Sequence, residues 1–275
     1  MASGQKITII ESGRQSFPKF LENLWGHRSL ILTLARRDLK VKYAQTLLGI
    51  GWSVLQPLTG LAIFTLFFDK LIKIQTLDMA YPLFVFSGMI CWFYFSYIVV
   101  AAGNSIQENT EMLKKIYFPK LILPLSKALT GLVDFIISLV LLVILMFILG
   151  RMPSWQIVFL PFIVGFIIIT GLSVALLLNA ATIRQRDFKH IIPYLVNFGI
   201  WLTPVFYPGT ILPEEWLWVH FLNPVAAAIE GFRWSLLAGT MPDFRFCFSI
   251  IPVMILFFSG LMLFRKMEDE IADNI

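Results

Sequence analysis

The sequence predicts an all-α membrane protein with six transmembrane helices, and its composition is the first reason. Of its 275 residues, 58% are hydrophobic and 14% are charged, and that charged share is about half the value typical of soluble domains. The mean hydropathy is +0.79. A soluble protein of this size needs a charged surface around its core, so the composition excludes soluble globular, disordered and disulfide-stapled proteins.

The second reason is the spacing of the apolar stretches, because crossing a bilayer takes roughly 20 mostly apolar residues. The six predicted spans cover residues of about 49–68, 82–102, 121–149, 157–181, 191–206 and 246–264. An even number of spans places both ends of the chain on the same side of the membrane.

The distribution of lysine and arginine predicts which side that is. With the N-terminus inside, the inner segments hold 17 of the 22 basic residues and the outer segments hold 5. Basic residues accumulate in cytoplasmic loops, so both termini are predicted to be cytoplasmic. The same bias accounts for the net charge of +5 without a nucleic-acid partner.

Residues of about 30–46 are predicted to form an amphipathic helix ahead of the first span. Its basic residues Arg36, Arg37 and Lys40 lie on one side, away from its apolar residues. Such a helix suits the inner membrane interface, with its basic side toward lipid headgroups or a partner. A plain basic flank of the first span is an equally good interpretation. Residues 1–29 are predicted to be an N-terminal cytoplasmic segment, and residues 30–275 a single membrane domain.

Residues 207–240, between the fifth and sixth predicted spans, are apolar but interrupted. Their uninterrupted pieces are too short to cross the bilayer, which predicts interfacial or re-entrant half-helices on the outer side. Asn223 and Pro224 mark a turn between two of them. Glu230 and Arg233 lie three residues apart on one half-helix, a spacing that suits either a gate or a structural staple.

The main inner loop, residues 104–119, is a candidate docking element. Glu111 precedes Lys114 and Lys115 by three and four residues, which is the spacing of side-chain pairs on a helix. A short charged helix at this place would suit a cytoplasmic partner. Composition alone favours an ordinary solvated loop.

The third predicted span carries two charged residues, Lys127 and Asp134. An intramembrane carboxylate costs at least ~2.5 kcal/mol to insert, so Asp134 is expected to face the bundle interior. Lys127 lies seven residues earlier on a similar helix face, within reach of the membrane edge. The two residues are therefore predicted to share a polar seam with a structural role.

The residue pattern of an enzyme is absent from the sequence. Its three histidines are scattered, and neither they nor the two cysteines have metal-ligand or redox spacing. No glycine is followed by lysine, so the sequence has no phosphate-binding P-loop. This chain is expected to bind no cofactor or metal itself, and any ATP hydrolysis would belong to a separate chain.

Five stretches carry a resemblance to a known family. They are RDLKVKYAQTLLGIGWSVLQPL (37–58), YPLFVFSGMICWFYF (81–95), KKIYFPKLILPLS (114–126), RDFKHIIPYLVNFGIWLTPVFYP (186–208) and LNPVAAAIEGFRWSLL (222–237). In order and position they resemble the membrane permeases of type-2 ABC exporters for lipid-linked polysaccharides. O-antigen permeases are most similar, and teichoic acid and capsule permeases are more distant. The resemblance runs from about Arg36 to the C-terminus.

The resemblance implies a homodimer with a channel along its interface, seated on two copies of a separate ATPase that binds ATP and Mg²⁺. The residues that it places against the ATPase are Arg36, Arg37, Lys40, Glu108, Glu111, Lys114 and Lys115. The aromatic residues that it offers for the channel wall are Trp92, Phe93, Tyr94, Trp201, Phe206 and Tyr207. Its outer gate would include Glu230 and Arg233.

The function implied by the resemblance is ATP-driven export of undecaprenyl-linked O-antigen-type polysaccharide across the bacterial cytoplasmic (inner) membrane, as part of lipopolysaccharide biosynthesis. A type-2 ABC permease for a small drug or lipid remains open, because length and topology fit it as well. A membrane enzyme acting on lipid-linked sugar is disfavoured by the lack of paired acidic residues at a membrane face. A secondary transporter would be expected to use more intramembrane charge.

Overall fold

The computed structural model describes residues 17–44, 46–73, 76, 79–116, 118–185 and 187–273. Within these ranges the chain is helical and has no strand, which confirms the predicted all-α fold. Five of its helices are long and apolar enough to cross a membrane, as expected of a multi-pass membrane protein.

Two helices precede the first span. They are α1, Phe17–Gly26, and α2, Arg28–Tyr43. Helix α2 begins two residues before the predicted interface helix and ends three residues earlier than predicted, because Ala44 adopts an extended conformation. Of the predicted N-terminal segment, residues 1–16 lie outside the described residues, and the rest forms α1 and the start of α2.

The five long helices agree with five predicted spans. The first span is Gly49–Leu71, made of a 3₁₀ turn at Gly49–Gly51, helix α3 at Trp52–Phe64 and a π-helical end at Thr65–Leu71. The second is α4, Tyr81–Tyr97, with a π-helical end at Ile98–Ala102. The third, α7, is Ile122–Ile148, and it follows two short loop helices, α5 at Ser105–Glu108 and α6 at Thr110–Leu113.

The last two long helices each start with a 3₁₀ turn. The first is Trp155–Phe159 followed by α8, Leu160–Arg184, and the second is Phe244–Ser249 followed by α12, Ile250–Asp273. Helix α12 continues nine residues beyond the predicted end of its span at residue 264. The charged residues after Phe264 still favour helix, so the end of the apolar stretch does not end the helix.

The predicted fifth span, residues 191–206, is not a long helix. The chain forms α9, Phe188–Leu202, with 15 residues, which is about 22 Å of helix against a hydrocarbon core of about 30 Å. Thr203 leaves the helical conformation with φ −106° and ψ 142°, because the following Pro204 restricts it to extended geometry. The count of six spanning helices is therefore not confirmed.

The segment after α9 is broken into short helices, as predicted. These are α10, Leu217–Leu222, and α11, Pro224–Leu237. Asn223 forms the turn between them, and its side-chain oxygen accepts hydrogen bonds from the backbone N–H groups of Val225 and Ala226 at 3.0 and 3.3 Å. This cap satisfies N–H donors that the start of a helix leaves without partners.

Helix α4 forms the centre of the molecule and the first span lies at its edge. About 72% of the apolar window of the second span is buried, against 6% for the first. Helices α7, α8 and α11 pack around α4, while α12 lies along α8 and α2 lies along α7. A second, smaller apolar cluster joins α2, the inner loop, and α7, α8 and α12 through Leu34, Ile106, Ile122, Leu176 and Phe264.

Candidate functional site

A network of charged side chains joins α2, the inner loop and α7. Lys127 on α7 donates a 3.0 Å hydrogen bond to Glu108 of the loop and forms an ion pair at 3.1 Å with Asp38 of α2. Arg37 of α2 contacts Asp38 at 2.8 Å and donates a 2.9 Å hydrogen bond to the side chain of Asn109. Ion pairs and a hydrogen bond thus connect the three elements.

Asp134 lies further along α7 and has partners of its own. It forms an ion pair with Lys42, and its Oδ1 accepts hydrogen bonds from the hydroxyl of Tyr43 at 2.5 Å and that of Ser53 at 2.6 Å. Burial, together with the hydrogen bond to Asp134, raises the pKa of Tyr43 to about 12. Tyr43 therefore stays protonated and acts as a donor.

The predicted polar seam between Lys127 and Asp134 needs correction. Each residue satisfies its charge with a different residue of α2, Asp38 for Lys127 and Lys42 for Asp134. The seam runs between two helices, and not along one. Sequence spacing on α7 alone does not reveal which residues of a distant segment pack beside it.

The seven residues predicted to face an ATPase divide into two groups. Arg37 and Glu108 take part in the charged network of α2, the loop and α7, and their side chains are 42% and 45% exposed. The others are exposed without a place in that network: Arg36, Lys40, Glu111, Lys114 and Lys115. In the described part of the loop no ion pair joins Glu111 to either lysine, and all three side chains are exposed.

Arg233 on α11 is the centre of a second group of polar contacts. Its side chain is 4% exposed and contacts Glu230 at 3.0 Å. It also donates hydrogen bonds to the backbone oxygens of Phe84 and Val205, both at 3.1 Å. Its guanidinium carbon lies 3.5 Å from the centre of the Phe84 ring. Of the two interpretations of the Glu230–Arg233 pair, this geometry is that of a staple between α11, α4 and the segment after α9.

A row of aromatic rings runs from α9 to the first span. Tyr194, Phe198 and Trp201 lie on one face of α9 and are each more than half exposed, and the Tyr194 and Phe198 ring centres are 4.7 Å apart. The Trp201 ring is 5.1 Å from that of Phe206, which stacks on Phe64 at 4.0 Å.

The six predicted channel aromatics are not equally available. Trp92, Tyr94 and Phe206 are 6%, 3% and 0% exposed. They lie in the core of one chain, so the prediction that they line a channel wall needs correction. Helix α4 is surrounded by other helices, which is why its rings are buried. Phe93 and Trp201 are exposed, and Tyr207 is half-buried with its hydroxyl bound to the backbone oxygen of Trp201 at 3.1 Å.

Two exposed aromatic residues of α9, Tyr194 and Phe198, were not identified from the sequence. Tyr194 and Phe198 precede Trp201 by seven and three residues, which places all three on one helix face. That spacing was a usable signal. Among the described residues, no cluster of His, Cys, Asp and Glu side chains is arranged to hold a metal ion.

Comparison with known proteins matches this architecture to one family. The family model described as ABC-2 type transporter matches residues 29–237. The chain is 27% identical over 260 residues to the O-antigen export system permease protein RfbA of Myxococcus xanthus, covering 94% of this chain and 99% of that protein. A protein of the same name from Klebsiella pneumoniae is 26% identical over 257 residues, covering 93% and 98%.

A more distant relative is the polysialic acid transport protein KpsM of Escherichia coli. It is 20% identical over 243 residues, covering 86% of this chain and 93% of that protein. The family match extends from the second residue of α2 to the end of α11. The chain therefore belongs to the family of ABC-2 type transporters.

Proposed function

We propose that this chain is the transmembrane subunit of an ATP-driven exporter that moves undecaprenyl-linked O-antigen-type polysaccharide across the cytoplasmic membrane. The observation that carries the proposal is near-full-length similarity to two proteins named as O-antigen export permeases. Similarity to a polysialic acid transport protein supports a polysaccharide cargo more broadly.

Two copies of the chain side by side would enclose the polysaccharide path. The support lies in the first span and α9, whose apolar and aromatic side chains are exposed on the single chain. Tyr194, Phe198 and Trp201 would offer ring faces to sugars, and Phe93 and Tyr207 remain candidates from the other elements. Stacking on rings is individually weak and tolerant of sequence, as it is for bases, so a long polymer would slide and not arrest.

The six-crossing arrangement with both termini in the cytoplasm is part of this proposal. Helix α9 together with the turns of residues 203–208 would complete the crossing that α9 alone is too short to make. Helices α10 and α11 would then lie at the outer face as half-helices, with α11 as the gate and the Glu230–Arg233 pair holding it. The excess of lysine and arginine in the inner segments supports this orientation.

A separate ATPase with bound ATP and Mg²⁺ would supply the energy. The exposed charges of α2 and of the inner loop, Arg36, Lys40, Glu111, Lys114 and Lys115, would form the docking surface for two copies of it. Arg37 and Glu108 are exposed as well and would connect that surface to α7, Glu108 directly through Lys127 and Arg37 through Asp38.

The proposal is tested in a deletion strain by measuring surface polysaccharide and lipid-linked glycan held inside the cell. We expect surface polymer to disappear and full-length lipid-linked intermediate to accumulate, because synthesis continues while export fails. Loss of polymer with only truncated intermediates would indicate an enzyme of synthesis instead. Unchanged surface polymer would contradict the proposal and favour the exporter of a small drug or lipid.

A further inference from the structure

Asp134 is placed unusually for a carboxylate in a spanning helix. It lies near the middle of the 27-residue helix α7, and its side chain is one quarter exposed. Its described ion-pair and hydrogen-bond partners, Lys42, Tyr43 and Ser53, all come from the end of α2 and the start of the first span. One acceptor thus gathers three donors from a segment about 80 to 90 residues earlier in the chain.

Two ion pairs join α2 to α7, and the acid belongs to α2 in one pair and to α7 in the other. Along α2 an acid, Asp38, precedes a base, Lys42, whereas along α7 a base, Lys127, precedes an acid, Asp134. In the observed register each charge faces its opposite. If α2 slid along α7, it would bring Asp38 toward Asp134 or Lys42 toward Lys127, and like charges brought close together repel. The charge order therefore defines one register for the helix pair.

The second span contributes to the same site. The ammonium group of Lys42 lies 5.1 Å from the centre of the Tyr97 ring, close enough for a cation–π contact. The Tyr97 ring in turn packs against Gly131, one turn before Asp134, where a larger residue would collide with it. Lys42 is thus held by a carboxylate on one side and a ring on the other.

The inner loop contacts this pair of helices beside the Asp38–Lys127 ion pair. Lys127 binds Glu108, and Arg37 binds Asn109. Residues of the loop that faces the cytoplasm, of α2 and of α7 therefore share one connected set of polar contacts. Movement applied to the loop or to α2 has a direct route into α7.

We propose that Asp134 is a positioning residue that locks α2 to α7, so that α2, the inner loop and α7 move as one unit when the cytoplasmic partner moves. The role rests on the proposed function, since it concerns transmission of an ATPase stroke to the spans. Without the lock, α2 follows the partner while α7 stays behind, and ATP hydrolysis is separated from export.

The test uses the full chain with its ATPase partner in proteoliposomes, and it measures polymer exported per ATP hydrolysed. Asp134→Asn keeps an acceptor for the hydroxyl groups but removes the ion pair, so we expect hydrolysis to persist and export per ATP to fall about fivefold or more. The double exchange Lys42→Asp with Asp134→Lys restores a pair in the reverse sense and is expected to recover part of the loss. Thr130→Val is the matched control, because the Thr130 hydroxyl donates to the backbone oxygen of Ser126 within α7 itself.

Hydrogen exchange of the purified chain separates this inference from the proposed cargo. Asp134→Asn should raise exchange in the second half of α2, because α2 loses its ion pair with α7. Helices α8 and α12 should stay protected, since their contacts are unchanged. If export per ATP and the exchange of α2 both match wild type, the lock does not exist. If wild type itself exports no polysaccharide, the proposed cargo fails, and the exchange result still decides the inference.

Discussion

Arg233 shows how much structure one buried side chain organises. Its guanidinium group meets Glu230 within α11, the backbone oxygens of Phe84 and Val205, and the face of the Phe84 ring. Arginine suits the position because its planar group donates in several directions at once. Gly88 leaves room for it, since a side chain there would come within 2.9 Å of the guanidinium.

Replacing Arg233 by methionine should strongly destabilise the protein. The change leaves Glu230 without its cation and removes one donor from each of the backbone oxygens of Phe84 and Val205. Breaking a buried pair in this way typically costs about 3 kcal/mol or more. We expect a clear drop in the Tm of the detergent-purified protein. Arg233→Lys should recover only part of it, because one ammonium group does not reach every acceptor.

The exposed pair of Arg245 and Asp243 provides the control for that experiment. Arg245→Met removes a salt bridge of similar length, 2.6 Å, but on the surface, where such pairs contribute little. Its Tm should stay close to that of wild type. Equal losses in the Arg233 and Arg245 variants would contradict the role of Arg233 as a buried staple.

At the scale of elements, α9 carries apolar and aromatic side chains on its exposed face. A helix that is apolar on its outer face needs lipid or another protein against it. The regular spacing of Tyr194, Phe198 and Trp201 makes one side of α9 a ring surface, whereas Leu195 and Leu202 are exposed aliphatic residues of the same helix.

The double substitution Phe198→Leu and Trp201→Leu should slow the export of long chains. It preserves apolar volume but removes two ring faces, each worth about 1 kcal/mol of stacking, or about fivefold in rate. Chain-length distribution at the cell surface, with ATP hydrolysis and Tm measured alongside, reports the effect. Leu195→Ala with Leu202→Ala is the control, and an equal or larger effect there would show that ring faces are not the cause.

At the scale of the whole molecule, the number of membrane crossings depends on α9. Among the described residues, five helices are long enough to cross a membrane, and α9 determines whether the number of crossings is odd or even. If α9 and the residues after it cross, then its start and the turn before α12 lie on opposite sides. Lys189 and Met241 are both exposed and stand at these two places.

Thiol labelling answers this directly. In a chain whose two cysteines, Cys91 and Cys247, are replaced, Met241→Cys should react with a membrane-impermeant reagent in intact cells. Lys189→Cys should react only after the membrane is opened, because we place it in the cytoplasm. Labelling of both positions from outside would contradict the sixth crossing.

Much of the fold was predictable because apolar length is a local property. The spans at 82–102 and 121–149 agree with Tyr81–Ala102 and Ile122–Ile148 to within a residue, and the turn at Asn223 lies where predicted. The fifth span was the exception, because residues 191–206 were predicted from apolar length, whereas Pro204 takes Thr203 out of the helix. Burial of Trp92, Tyr94 and Phe206 was equally hidden, because it depends on which helices surround α4.

The sequence by itself determined the membrane class, the helices and the family, since hydrophobic length and motif order lie along the chain. Only the tertiary structure decided which partners the polar residues take. Asp134 finds Lys42 and Tyr43, and Arg233 finds the backbone of Phe84 and Val205, across separations of 28 to 149 residues. A charge in an apolar setting needs a partner wherever the fold brings one within reach, and that proximity is created by packing.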